Sequence, residues 1–270
     1  MADSIQTFEE PASFDAAAAT YDERFSNTCL GRWLRQQVWK RLHVHFKPGQ
    51  RILELGCGTG EDAIWLAKKG IHVTATDRSG VMLEMLKQKT DRLHLHDFIQ
   101  TEFLDLNHPW EKTDRFFDGV FANFGVLNCV EDCRHLSRFL GHLLKPEAAA
   151  IFVMMNPICP WEIGSHLLHG RVKDAFRRFG GQPIAASVAE DTTVQVRYPL
   201  PAALAKEFRP QFRMQHLQGL GVLLPPSYFS ETVEKHRKFF TTCNSLEQKI
   251  ADIFPCTRLN DHYILELIRL

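Results

Sequence analysis

Residues 51–60, Arg-Ile-Leu-Glu-Leu-Gly-Cys-Gly-Thr-Gly, restrict the fold of this chain more than any other stretch. Ile52, Leu53 and Leu55 make an apolar run of the length of one buried strand. Gly56, Gly58 and Gly60 follow with little side-chain bulk, and a helical pattern (Ala63, Ile64, Leu66, Ala67) starts at once. Glycine accepts positive φ and lets another group come close to the backbone, and a helix start adds unpaired N–H groups. The stretch therefore reads either as a tight strand-to-helix turn or as a turn built for a ligand.

Spacing narrows the ligand. The dinucleotide fingerprint G-x-G-x-x-G needs glycine at position 61, which is Glu61 here. Glu54, ahead of the glycines, would repel a diphosphate in a partly desolvated turn and suits a ligand carrying an ammonium group. The run Glu54-x-Gly56-x-Gly58-x-Gly60 closely resembles motif I (E/D-x-G-x-G-x-G) of class I S-adenosylmethionine-dependent methyltransferases. The resemblance covers residues 14–155 densely and the last strands less so. It implies a Rossmann-like α/β fold: a seven-stranded sheet in the order 3-2-1-4-5-7-6, helices on both faces and helical cap insertions.

The rest of the chain follows that frame. Phe14-Asp15 through Tyr21-Asp22 resembles the F-D-x-x-A-x-x-Y-D entry of type 11 or ubiquinone/menaquinone-biosynthesis methyltransferases, in which the tyrosine, here Tyr21, folds over the cofactor. Phe14, Ala18, Tyr21 and Phe25 also have plain helical spacing. A helix over 30–46 carries Arg35, either a surface charge or a partner for the cofactor's carboxylate. Strand 71–76 ends at Asp77, where nucleotide-binding sheets place an acid on ribose hydroxyls. Strands are expected within 98–105, at 116–122 and at 149–155, and a helix marked by Leu136, Phe139, Leu140, Leu143 and Leu144 that stops at Lys145-Pro146.

By resemblance, Glu54 and the turn Gly56, Cys57, Gly58, Thr59 and Gly60 hold the methionine moiety, and Asp77 with Arg78 the ribose side. Met82, with Leu104, Asp105 and Leu106, surrounds the adenine. Asn123-Phe124-Gly125 replaces the Asn/Asp-Pro-Pro-aromatic run of enzymes that methylate base amines, which disfavours DNA as substrate.

Four domains of organisation are expected: an N-terminal helical cap (1–46, with a polar, loose start over 1–12), a cofactor-binding core (47–156), a cap insertion (157–196), and a C-terminal part of the core (197–270) with a second cap at about 223–258. A long amphipathic helix spans roughly 230–252 and the last strand 261–270. The caps hold the candidates for proton transfer or substrate orientation, His166, His169, Tyr228 and Glu162. Only Asn123, Asn128 and Asn156 offer side-chain oxygens on the loops after the fourth and fifth strands, a poor set for a metal.

Composition bounds the partners. Lys plus Arg (32) equals Asp plus Glu (32), so no basic surplus favours nucleic acid or an anionic membrane, short of a local patch. The seven cysteines show no C-x-x-C spacing, and the start lacks a leader pattern, so a reducing cytoplasm is expected. The 20 phenylalanines exceed what the core needs and suit an aromatic-lined pocket. The expected function is transfer of a methyl group from S-adenosylmethionine, by in-line displacement, to a small apolar or aromatic acceptor, by a monomer or homodimer. The alternatives are a non-catalytic S-adenosylmethionine-binding protein and a dinucleotide-dependent oxidoreductase.

Overall fold

Short apolar runs alternating with amphipathic helices leave each strand to be covered on both faces. The computed structural model describes residue 12 and residues 14–110, 115–189 and 192–270; the expected loose start lies almost wholly outside them. β1 (Arg51–Leu55), β2 (His72–Asp77), β3 (Ile99–Phe103), β4 (Phe117–Ala122) and β5 (Leu144–Met155) pair in parallel. The chain then makes a separate hairpin, β6 (Ile184–Ala189) and β7 (Thr192–Val196), and returns as β8 (Phe212–Leu220) and β9 (His262–Arg269), both antiparallel to their neighbours. The sheet order is β3-β2-β1-β4-β5-β9-β8. Skipping the hairpin in the numbering, this is the expected 3-2-1-4-5-7-6.

Strand alternation sorts the core into two layers. Ile52, Val73, Phe121, Ile151 and Ile264 meet α2 (Cys29–His45), α3 (Glu61–Ala67) and α4 (Gly80–Arg92). Leu53, Leu55, Val120 and Phe152 meet α5 (Cys133–Leu143) on the other face. Glu54 shares the Ile52 face by parity, which aims its carboxylate toward α2 and α3 rather than at water. The first helix, which precedes these, is Asp15–Tyr21 and is continued by a π-turn over Asp22–Ser26.

Three elements depart from expectation. β5 starts at Leu144, directly out of α5 and through Lys145-Pro146; a register shift between Phe117 and Gly119 and a positive φ of 63° at Glu147 absorb the irregularity. The insertion 157–196 is helical only over Pro160–Leu168 and Val172–Ala175 before it becomes the hairpin. Thr192, Thr193, Val194 and Val196 are β-branched and favour the strand. The helix expected over 230–252 is two, Ser230–Lys235 and Arg237–Ile250, parted where His236 leaves helical geometry. Val233 and Phe240 are buried in the same core on either side of that break, so the apolar spacing carries no trace of it. No helix among the described residues is long and apolar enough to cross a membrane.

Candidate active site

Parallel pairing of β1 with β2 brings their carboxyl ends level, Leu55 opposite Thr76. The Thr76 hydroxyl donates to the Glu54 carbonyl (2.7 Å) and the Cys57 N–H to the Thr76 carbonyl (2.8 Å), which stitches the glycine turn to the sheet. A Cβ at Gly56 would lie 2.5 Å from a Val126 methyl and one at Gly60 2.1 Å from a Leu86 methyl, so the protein's own packing requires these glycines. A Cβ at Gly58 would meet nothing within 4 Å. That position is bare although nothing inside the protein needs the room. Gly58→Val should therefore leave a folded protein, destabilised by about 1–2 kcal/mol because its φ of 51° is left-handed. Calorimetry of this variant with S-adenosylhomocysteine should show no binding.

The charges around the turn are buried and unevenly paired. Arg35 on α2, 6% exposed, is bonded to Asp62 on α3. Asp62 also accepts from Trp39 Nε1 (2.6 Å) and Asn123 Nδ2 (2.8 Å). The Arg35 guanidinium lies 5.1 Å from the Phe124 ring centre and 5.6 Å from that of Phe25. Glu54 is 2% exposed, and burial, with Asp62 nearby, pushes its carboxyl well above the usual range. Two atoms here are buried without a hydrogen-bond partner: the acceptor Glu54 Oε2 and the donor Arg35 Nε. An α-amino acid carries the complementary pair, an ammonium and a carboxylate.

Asp77 closes the turn from β2, taking the Gly58 N–H (2.8 Å) and the Ser79 N–H (2.9 Å). Burial raises its pKa despite these bonds. A diphosphate in the turn would face this carboxylate as well as Glu54. Ser79 caps α4 at the Met82 N–H (3.1 Å), and Met82 itself is core. Leu104 is buried, its N–H on the Asp77 carbonyl (3.1 Å), and Leu106 packs against the lower core. Asp105 accepts from its own Asn107 N–H (2.9 Å) and faces Arg78 at 3.5 Å, so it is an engaged loop acid at the end of β3. The N-terminal segment is fastened over this crevice: Asp15 accepts from the Ser79 hydroxyl, and Asp22 from the Thr59 hydroxyl (2.6 Å) and Lys89 (2.7 Å). Tyr21 stands in the same segment, its ring 6.0 Å from Phe25, which in turn meets Phe124 edge-on at 4.8 Å.

Residues 52–147 match the family described as Methyltransferase domain. A 2-phytyl-1,4-naphtoquinone methyltransferase of Synechococcus elongatus is 35% identical over 158 residues, 54% of this chain and 64% of the relative. A demethylmenaquinone methyltransferase of Clavibacter sepedonicus is 33% identical over 138 residues, 50% of this chain and 53% of the relative. The chain thus spans less than two thirds of the length of these curated relatives. Among solved structures, the CcbJ methyltransferase of Streptomyces caelestis superposes with a TM-score of 0.62 at 16% identity, covering 97% of this chain and 99% of that one, a likeness of fold. The chain carries a class I methyltransferase domain.

The segments outside the matched domain treat the four candidate catalytic side chains differently. Glu162, a candidate for orienting substrate, is instead engaged by the protein's own side chains. It is 2% exposed, bonded to Arg178 and to Arg177 (2.8 Å), and takes the Tyr228 hydroxyl (3.1 Å). Burial alone would raise its pKa, but the two guanidiniums win and hold it low. Tyr228 is 57% exposed and its hydroxyl is given to Glu162 (3.1 Å), a neighbouring carboxylate that disfavours a phenolate there. His169 is exposed, with Nδ1 on the Ser165 carbonyl of its own helix (2.7 Å), away from the glycine turn in sequence and bonding. His166 is half-buried, and its Nδ1 has no partner.

The sequence reading passed over one pair. His262 opens β9, and antiparallel pairing sets it opposite Met155, at the carboxyl end of β5. Its ring meets Phe124 edge-on at 5.9 Å, and its Nδ1 lies 2.9 Å from Asp261. Asp261 is fully held: burial acts to raise its pKa, but His262 and Arg178 (3.1 Å) keep it well below the carboxylate range. Asp-His at the start of the last strand, which runs antiparallel to β5, was the available signal.

Proposed function

We propose that this domain transfers a methyl group from S-adenosylmethionine to a small aromatic hydroxyl-bearing acceptor of the quinol type. The observation that carries the cofactor part is the orphaned pair, Glu54 Oε2 and Arg35 Nε, beside the bare Gly58. Glu54 would take the ammonium and Arg35 the carboxylate of the methionine end, with Asp77 on the ribose and the residues around Asp105 near the adenine. Bound S-adenosylmethionine supplies an already activated methyl carbon, so positioning and dryness provide most of the acceleration. Tyr21, Phe25 and Phe124 would exclude water. The acceptor class comes from the relatives named for naphthoquinone and menaquinone precursors. The acceptor would sit between the core and the caps 157–196 and 223–258, with its hydroxyl at His262.

In that role Nε2 of His262 would accept the acceptor's proton, with the Asp261 carboxylate 2.9 Å from Nδ1 as the neighbouring negative charge rather than a hydrogen-bond partner. His262→Asn should lower turnover about 100- to 10,000-fold and leave S-adenosylhomocysteine affinity unchanged. Calorimetry with S-adenosylmethionine, S-adenosylhomocysteine and NAD, followed by labelled-methyl turnover on 1,4-naphthoquinols, tests the whole reading. The sulfur ligands should bind, NAD should not, and label should reach the naphthoquinol. NAD binding without the sulfur ligands would end the reading. Binding without turnover on naphthoquinols or a metabolite extract would leave a non-catalytic binding protein.

A further inference from the structure

The insertion that walls the site carries an outer surface of unusual composition. Leu167, Leu168, Val172, Phe176 and Phe179 are all exposed, Leu168 by 88%. They fall at the end of the helix Pro160–Leu168, in the helix Val172–Ala175 and in the turn after the second. Phe176 and Phe179 touch only edge to edge, ring centres 5.6 Å apart, and reach toward solvent together. Between them stand Arg171 and Lys173, both exposed and, among the described residues, without a carboxylate in ion-pair range. Asp174 is the single acid over 165–183. The balanced charge of the whole chain averages over this local asymmetry.

We propose that this surface docks on an anionic phospholipid bilayer. Large apolar side chains interleaved with unpaired cations match a bilayer interface, where acyl chains take the former and acidic headgroups the latter. Charge complementarity selects this occupant over a second copy of the chain. A two-fold pairing of the patch would set Arg171 and Lys173 against their own like charges in a desolvating contact. With no spanning helix among the described residues, the contact lies on the bilayer. The same stretch ties inward: Arg177 holds Glu162, which is bonded to Arg178, and Arg178 holds Asp261 beside His262. The outer face of this wall thus meets lipid while its inner face meets the site. The consequence that a lipid-dissolved acceptor has a short path rests on the acceptor proposed above; the docking does not.

Sedimentation of the full chain with phosphatidylcholine vesicles, with and without phosphatidylglycerol, tests this. The chain should sediment with the phosphatidylglycerol vesicles and be released as salt is raised. Arg171→Gln with Lys173→Gln should weaken the association about 20-fold and erase the lipid preference. Leu168→Glu with Phe176→Glu should abolish it. Circular dichroism and S-adenosylhomocysteine binding should stay as in the parent. No association with phosphatidylglycerol vesicles would overturn the proposal, as would association that neither double variant changes, or a dimer in solution that L168E dissolves. Should the parent fail to bind S-adenosylhomocysteine yet sediment with vesicles, the catalytic reading falls and this one stands.

Discussion

Glu54→Gln should strip cofactor binding from the protein and at the same time make the ligand-free chain more resistant to heat. The carboxylate is buried, and one of its oxygens bonds nothing. Truncating one partner of a buried charge pair costs about 3 kcal/mol or more, so S-adenosylhomocysteine affinity should fall over about 100-fold by calorimetry. Stability moves the other way. Burial, then Asp62, raises the folded pKa of Glu54 above its unfolded value, so the folded chain holds the proton more tightly. Its contribution is therefore intact below the ordinary carboxylate range and is lost as pH climbs through the raised value. E54Q should remove that decline: its gain in Tm over the parent should widen from pH 5 to pH 8. Equal affinity for S-adenosylhomocysteine in E54Q and parent would remove Glu54 from the site.

The second large effect is on the fold. Asp62→Ala should cost about 3–5 kcal/mol, measured by urea unfolding, because it leaves the Arg35 charge buried and alone. It also deprives Trp39 and Asn123 of their acceptor. This one side chain links α2, α3 and the end of β4, so its loss loosens the wall that faces Glu54. Replacing Arg35 and Asp62 together by Met and Leu should recover much of the loss, since a buried ion pair and a well-packed apolar pair often differ little. If D62A unfolds at the parent's midpoint, the pair has no structural weight.

What was legible in the sequence was what local pattern can encode. The run Glu54 to Gly60 predicted a strand, a turn and a helix, and its glycines answer to local demands: Val126 and Leu86 leave no room for a side chain at Gly56 and Gly60, and Gly58 takes a left-handed φ. The alternation up to Met155 predicted a parallel sheet covered on both faces, and its strand order came from the family resemblance. Contacts made across long sequence gaps were not legible. Glu162 looked like a free acid because Arg177, Arg178 and Tyr228 converge on it only in space. Asp62 looked like an ordinary first-turn acid, and His262 belonged to a strand whose position beside β5 no local spacing states. The β hairpin was missed because short β-branched runs inside an insertion give little period to read.

The N-terminal segment over the crevice is held by contacts of a particular grade. Asp22 and Lys89 retain 21% and 15% of their side-chain exposure, and their bond and those of Asp15 and Thr59 join polar groups at the rim. Each such contact is worth only about 1 kcal/mol. Ala18 is nonetheless fully buried and Phe25 packs against the core, so lifting the segment off the crevice would cost those apolar contacts as well, and the fastening is stronger than its rim bonds alone suggest.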